Sequence, residues 1–345
     1  MTGTQRAIQA NSLPLFEDTG SSPKLVGIAR IAAEGESLRE GHNVEYFALG
    51  VRSLLNRVTS ERNHSFAWAI NPYRGCEFAC KYCYARYTHE FMELRDGVDF
   101  ERKIFVKQHA AGLLRAELKR VKLGEGIAIG TATDPYQPAE RRFELTRAIL
   151  EELAQHSGLS IGIITKSNLV TRDVEILRQI GERNRISVHV TVTTLDAELA
   201  RKLEPRAPRP DLRLEAVRQL NLAGVHAGIN CAPVLPEITD RPRDLEALVK
   251  AASEAHAKYV FANALFLKPC SAAVFMPFLK EQFPALVELY RSRYANGAFL
   301  PKGYGQRLSR LMAAFQRKYG IGSEYGKQSF HASSGESSQQ QLRLF

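Results

Sequence analysis

Between about residue 66 and residue 270, segments rich in Val, Ile and Thr alternate with segments bearing an apolar stripe at helical spacing. This alternation restricts the chain to a parallel sheet built from βα units. The strand candidates are 66–73, 126–133, 159–167, 186–194, 225–234 and 258–267. Helix candidates separate them. The run 140–157 places Phe143, Ile149, Leu150 and Leu153 on one face, and 171–183 opens on a capping Thr171. The run 209–224 starts at a proline and ends on Gly224, and 241–257 repeats the pattern. Such a sheet closes either as an open twisted sheet or as a full or partial barrel. In both cases functional groups collect at the C-terminal ends of the strands.

The flanks read differently. Residues 1–35 are polar, with scattered Gly, Ser and Pro, and are expected to form a mobile arm. Residues 36–66 form a short lead-in, so 36–270 is taken as the core with its lead-in. A basic helical extension is expected over 271–328, and a Ser- and Gln-rich disordered tail over 329–345. No apolar run reaches the length of a membrane span, and the N-terminus lacks the apolar stretch of a secretory signal. A cytoplasmic protein with reduced thiols is therefore expected. The net charge of +10 fits either a solvated basic surface or a polyanionic partner such as DNA.

Three of the five cysteines fall within "NPYRGCEFACKYCYAR", residues 71–86. Cys76, Cys80 and Cys83 have the spacing C-x-x-x-C-x-x-C. A structural zinc site wants four ligands, and His89 is the next candidate, which would make a Cys3His site in a non-catalytic nucleic-acid-binding protein. The alternative is a cubane iron–sulfur cluster in which three thiolates leave one iron open.

With an aromatic residue, Tyr82, before the last cysteine, the motif resembles the signature of radical S-adenosylmethionine enzymes. "GTATDPYQPAE", "ITKSN", "EPRAPRP" and "APVLPEITD" further resemble the spore photoproduct lyase-like, DNA repair photolyase-related branch. The resemblance covers about residues 66–270. It implies a partial (β/α)6 barrel of parallel strands, with N-terminal lead-in and helical C-terminal extension. It implies a [4Fe-4S] cluster on Cys76, Cys80 and Cys83, with S-adenosylmethionine chelating the open iron. The implied activity is formation of a 5′-deoxyadenosyl radical, acting on a base in DNA as repair or modification. Protein, RNA and small metabolites are alternative substrates. An electron donor such as flavodoxin or ferredoxin is implied as well.

S-adenosylmethionine needs partners for its ammonium, carboxylate, ribose and adenine. Many radical enzymes carry G-G-E at the second strand end, where this chain has "TATDPY", so Thr131, Thr133 and Asp134 are candidates for the ammonium. Asp134-Pro135 also suits a plain turn. Lys166, in "TKS" with Ser167, is positioned to pair with the carboxylate, or else it is a surface lysine. Thr191 and Thr193 are candidates for the ribose, and Pro233, between Ala232 and Val234, for the adenine; all fit ordinary strand packing too. Glu204, Arg206 and Arg209 follow the fourth strand, as an anion site or a surface pair.

In the lyase branch a cysteine returns a hydrogen atom to the product radical. Cys270 and Cys231 are the candidates, against the ordinary reading of buried apolar thiols. The chain ends in "QLRLF", Gln341 to Phe345, which resembles the pentapeptide that binds the bacterial sliding clamp; "SLPLF" at 12–16 is a looser echo.

Overall fold

The computed structural model describes residues 25–41, 44–58 and 66–322. The strands are β1 (Ser37–Gly41), β2 (Val44–Leu49), β3 (Leu55–Arg57), β4 (Trp68–Ile70), β5 (Tyr73–Arg74), β6 (Lys103–Lys107), β7 (Gly126–Ile129), β8 (Ser160–Thr165), β9 (Arg185–Thr191), β10 (Ala227–Val234) and β11 (Val260–Ala264). The larger sheet has the order β11-β10-β9-β8-β7-β4-β3. β4, β7, β8, β9, β10 and β11 are the six strands expected from the sequence, and each pairs in parallel with its neighbour. β3 adds antiparallel to β4. The outer strands β3 and β11 do not pair with each other, so the sheet is a partial barrel rather than a closed one.

The apolar residues of these strands fill one continuous core. Ile70, Ile127, Ile129, Ile161, Ile163, Val188, Val190, Ala227 and Ile229 are buried together with the inner faces of the covering helices. Burial on both faces explains why β7 and β8 read as unbroken apolar runs rather than alternating ones.

The helix expected over 140–157 is two helices, Glu140–Phe143 and Leu145–Leu153, separated by Glu144 at φ +47°. The Glu140 carboxylate explains the break. It accepts from Thr146 N at 2.8 Å and Arg147 N at 3.1 Å, so it caps the second helix while also accepting from Tyr73 Oη at 2.5 Å.

A second sheet, β1-β2-β6-β5, stands beside the barrel and was not foreseen in the sequence. β2 and β6 are parallel, and β5 runs antiparallel to β6. The C-terminal segment folds as helices Pro269–Gln282, Val287–Arg293 and Lys302–Lys318. Leu308 and Met312 of the last helix join the barrel core, and Gln316 Nε2 donates to Val260 O at 2.7 Å along the outer strand. This occupies an edge that would otherwise offer free backbone groups. Phe275, Phe278, Leu279 and Tyr290 pack in one cluster with Cys76, Cys80 and Tyr82. The extension therefore rests directly on the cysteine loop.

Candidate active site

The cysteine loop leaves the barrel after β4 and is fixed by the residues around it. Gly75 has φ +83°, and a Cβ there would lie 2.8 Å from the carbonyls of Phe100 and Lys103. Only glycine fits before Cys76, whose amide donates to Phe100 O at 2.9 Å. Gln137 accepts from Glu77 N at 2.9 Å and donates to Gly75 O at 3.2 Å. The Glu77 carboxylate accepts from Ala139 N at 2.7 Å and from Tyr46 Oη at 3.0 Å. On the other side, Arg86 donates to Cys80 O at 3.0 Å and pairs with Glu101 at 2.8 Å.

Behind the loop lies a buried ionic network. Glu204 and Arg213, each 1% exposed, form an ion pair at 2.5 Å. Tyr82 Oη donates to Glu204, and Thr193 Oγ1 donates to it at 3.3 Å. Arg213 also donates to Thr191 O at 3.1 Å and Pro208 O at 2.7 Å. Burial works against the charge of Glu204, but Arg213 and Lys166 overcome it and hold the carboxyl below its ordinary range. Glu204 therefore anchors the loop from below and is not an exposed member of a surface pair. Arg209 is exposed and pairs with Asp211 at 2.7 Å, and Arg206 is exposed.

Cys76, Cys80 and Cys83 line one cavity of about 930 Å³, counting its open mouth, at the C-terminal ends of the strands. Tyr82, Thr131, Thr133, Asp134, Lys166, Thr191 and Pro233 line the same cavity. Asp134 Oδ1 accepts from Thr165 Oγ1 at 2.7 Å and Tyr136 N at 2.9 Å, and its Oδ2 accepts from Lys166 N at 2.7 Å. These bonds tie the β7 and β8 ends together. Burial nevertheless leaves the Asp134 carboxyl above its usual range. Burial also opposes the Lys166 ammonium, but Cys80 and Glu204 outweigh it and push its pKa up; the Nζ sits 5.7 Å above the Tyr82 ring. Thr133 Oγ1 donates to Gly75 O at 2.6 Å.

Four expected site residues lie elsewhere. Ser167 is buried and accepts from Leu169 N at 3.2 Å as a cap. Thr193 faces Glu204. Cys231 is fully buried in the barrel core. Cys270 is half-buried, with its thiol 3.7 Å from the O of Tyr84, a lining residue. None of the four is among the residues lining this cavity.

Two lining residues went unnoticed in the sequence. Asn230 Oδ1 on β10 and Asn263 Nδ2 on β11 are buried without a hydrogen-bond partner. Buried polar atoms are normally paired, so these two mark places where a bound group completes the site.

The donor set also tests what can be held. Burial pushes up all three thiols, Cys80 to about 12. Ionising three thiols in one apolar loop needs strong positive charge beside them, as a metal–sulfur cluster provides. His89 does not complete a zinc site. It lies outside the cavity lining, its Nε2 meets Lys103 O at 3.0 Å, and its ring packs edge-on against Phe100 and Phe105. Among the described residues no three His, Cys, Asp or Glu side chains converge on a single-ion site. The residues present thus fit three ligands spread over a cluster better than four gathered on one ion.

Residues 70–251 match the Radical SAM superfamily. The chain belongs to that superfamily. Its members are enzymes that use S-adenosylmethionine and a [4Fe-4S] cluster, and this chain is accordingly a radical SAM enzyme. An uncharacterized protein of Mycobacterium tuberculosis is 33% identical over 326 residues, covering 94% of both chains. An uncharacterized protein of Methanocaldococcus jannaschii is 27% identical over 228 residues, covering 66% of this chain and 81% of its own. Among solved structures, a spore photoproduct lyase mutant with dinucleoside spore photoproduct superposes with a TM-score of 0.60 at 15% identity, covering 79% of each chain. At that identity the likeness is one of fold. Among the described residues of this radical SAM enzyme, no helix is long and apolar enough to cross a membrane.

Proposed function

We propose that this radical SAM enzyme holds its [4Fe-4S] cluster on Cys76, Cys80 and Cys83, binds S-adenosylmethionine in the cavity beside them, and acts on a base in DNA. The observation that carries the reading is the convergence of three thiols from one loop with Asp134 and Lys166 on a single cavity. When bound, the cluster and cofactor together supply one-electron carbon–sulfur cleavage and hydrogen-atom abstraction from substrate. The protein's own residues bind, orient and enclose. Asp134 offers a carboxylate to the cofactor ammonium, and Lys166 offers an ammonium to its carboxylate. Asn230 and Asn263 present their unpaired polar atoms to the ribose, with Thr191 beside them. Ile164, Pro233 and Leu265 give the adenine an apolar wall.

A DNA substrate is supported by the fold shared with a lyase solved with a dinucleoside photoproduct and by the net charge of +10. Neither Cys231 nor Cys270 lines the cavity, and of the two candidate hydrogen donors Cys270 is the one whose thiol lies against a lining residue, 3.7 Å from Tyr84 O. A cytoplasmic enzyme reduced by a flavodoxin or ferredoxin fits this chemistry. The Gln341–Phe345 motif and the divisions at 1–35 and 329–345 lie largely outside the described residues. We retain the motif as a clamp-docking signal, to be tested by pulldown with residues 341–345 deleted. Unchanged clamp capture would remove that part of the reading.

The test of the whole is anaerobic reconstitution with iron and sulfide, followed by dithionite reduction with S-adenosylmethionine. The expected result is 5′-deoxyadenosine from the wild type and none from Cys80→Ala. A protein that takes up zinc and neither iron nor sulfide would overturn the assignment.

A further inference from the structure

A second cavity of about 1470 Å³, counting its open mouth, adjoins the first. Tyr84, Thr131 and Phe266 line both. Its walls come from both free edges of the barrel: Asn56 on β3 and Ala69 on β4 on one side, Phe266 and Lys268 beyond β11 on the other. It therefore occupies the seam that an open barrel leaves.

Its chemistry is one-sided. Arg74, Lys107 and Lys268 line it, and no carboxylate of the described residues does. Lys107 is 5% exposed, and Glu117, the carboxylate that acts on its ammonium, does not line the cavity. Arg74 reaches Thr88 O at 3.2 Å, but its Nε is buried without a partner. Lys268 Nζ lies 4.1 Å from the centre of the Tyr87 ring. Cations kept out of water without counter-charges are costly, and an arriving anion removes that cost. Aromatic side chains, Tyr84, Tyr87 and Phe266 among them, make up much of the remaining wall. A cationic groove beside flat rings is how proteins hold single nucleic-acid strands, with phosphates on the charges and bases on the rings.

We propose that this second cavity is a nucleotide subsite, in which Lys107, Arg74 and Lys268 hold a phosphate of the substrate strand while the aromatic wall receives a base next to the cofactor chamber. The inference rests on the reading that the substrate is DNA. Tyr84 is the partition between the chambers: its hydroxyl donates to Thr131 O, and its ring faces Phe266 at 6.3 Å. A base stacked there lies one residue away from the cofactor cavity.

The experiment is fluorescence anisotropy with a labelled short single-stranded oligothymidylate, on the full chain reconstituted with iron and sulfide. Wild type is compared with Lys107→Met, Lys268→Met and Arg243→Gln, the last an exposed cation outside both cavities. Lys107→Met is expected to weaken binding roughly ten- to a hundredfold, as loss of a charged hydrogen bond does, and Lys268→Met about tenfold. Arg243→Gln is expected to change it little. Lys107→Met keeps the apolar stem and is checked for folding by its thermal melt. If Lys107→Met binds as the wild type does, the subsite is wrong and the DNA reading stands. If the wild type binds no oligonucleotide, both fall. If an acidic tyrosine-containing peptide displaces the probe and thymidine monophosphate does not, the subsite belongs to a peptide. Oligonucleotide binding without 5′-deoxyadenosine formation would leave the subsite intact and sink the radical chemistry instead.

Discussion

Lys107 provides a quantitative test because its ammonium is buried among groups that do not neutralise it. Burial is the main cause that lowers its pKa from 10.5 to about 7, Arg74 adds repulsion, and Glu117 offsets only part. The Glu117 carboxylate is already engaged with the Leu54 and Leu55 amides at 2.9 and 2.8 Å. For a base whose folded pKa is depressed, the unfolded chain holds more protons between the two values. Stability therefore rises with pH from about 7 to about 10, and the full cost is felt below about 7. At 1.36 kcal/mol per pKa unit, a drop of this size corresponds to about 4 kcal/mol at pH 7.

Lys107→Met removes this cost and is expected to raise the urea-unfolding free energy of the full chain by up to about that amount at pH 7. The gain should shrink steadily as pH rises toward about 10.5 and vanish only above it, where the wild-type lysine is neutral in both states. Taking the difference between variant and wild type cancels the tyrosines and thiols that titrate in the same range. A variant less stable than wild type at pH 7, or a gain that does not change with pH, would refute the argument. It would mean that Lys107 has a counter-charge in solution. If the gain is seen, Lys107→Met gains stability while it loses oligonucleotide binding, since the same uncompensated charge governs both.

Gly75→Ala places a methyl 2.8 Å from two carbonyls at positive φ, so it should cost several kcal/mol and lower iron uptake, read by iron and sulfide analysis. Glu204→Gln leaves Arg213 buried without its counter-charge and should destabilise by about 3–5 kcal/mol in urea, whereas Arg209→Gln on the exposed pair should change stability by less than about 1 kcal/mol. Asn230→Leu removes an unpaired buried acceptor; the fold should tolerate it, and S-adenosylmethionine affinity by equilibrium dialysis should fall about tenfold. Retained affinity in Asn230→Leu would mean that the ribose lies elsewhere.

The sequence carried the barrel because its signals are local. Each barrel strand, β4 and β7 to β11, is a short apolar run closed by a turn, and its partner is set by the rule that successive βα units lie side by side. The second sheet had no such signal. β5 is only Tyr73–Arg74, and β2 and β6 are parallel neighbours more than fifty residues apart in the chain. The spacing singled out the cysteine loop but left a zinc site and a cluster both open, and the family resemblance chose between them. The residues that hold the loop were not legible. Arg213 sits in "RPDLRLEAVRQL", where its charge looks like one more solvent-facing position. It is buried only because the chain returns Glu204 to the same place. Asn230 did leave a trace, as the single amide in the apolar strand "VHAGINCAPV". A polar side chain that interrupts a largely buried strand has no packing reason to be there, and here it lines the cavity at the strand ends.

The two cavities also explain why the barrel stays open. Closing β11 onto the β3–β4 edge would bury the backbone edges and add core, which favours stability. It would also bring Lys268 and Phe266 against Asn56 and Ala69 and erase the second cavity. The helix Lys302–Lys318 instead covers part of the β11 edge through Gln316, so the edge is satisfied without closure. The Arg74 Nε is left unpaired on the wall of that seam beside the buried Lys107, where a closed barrel would have to bury them for good. Uncompensated cations at an opening that could have been sealed are consistent with an anionic substrate that enters by the seam and reaches the cysteine loop past Tyr84.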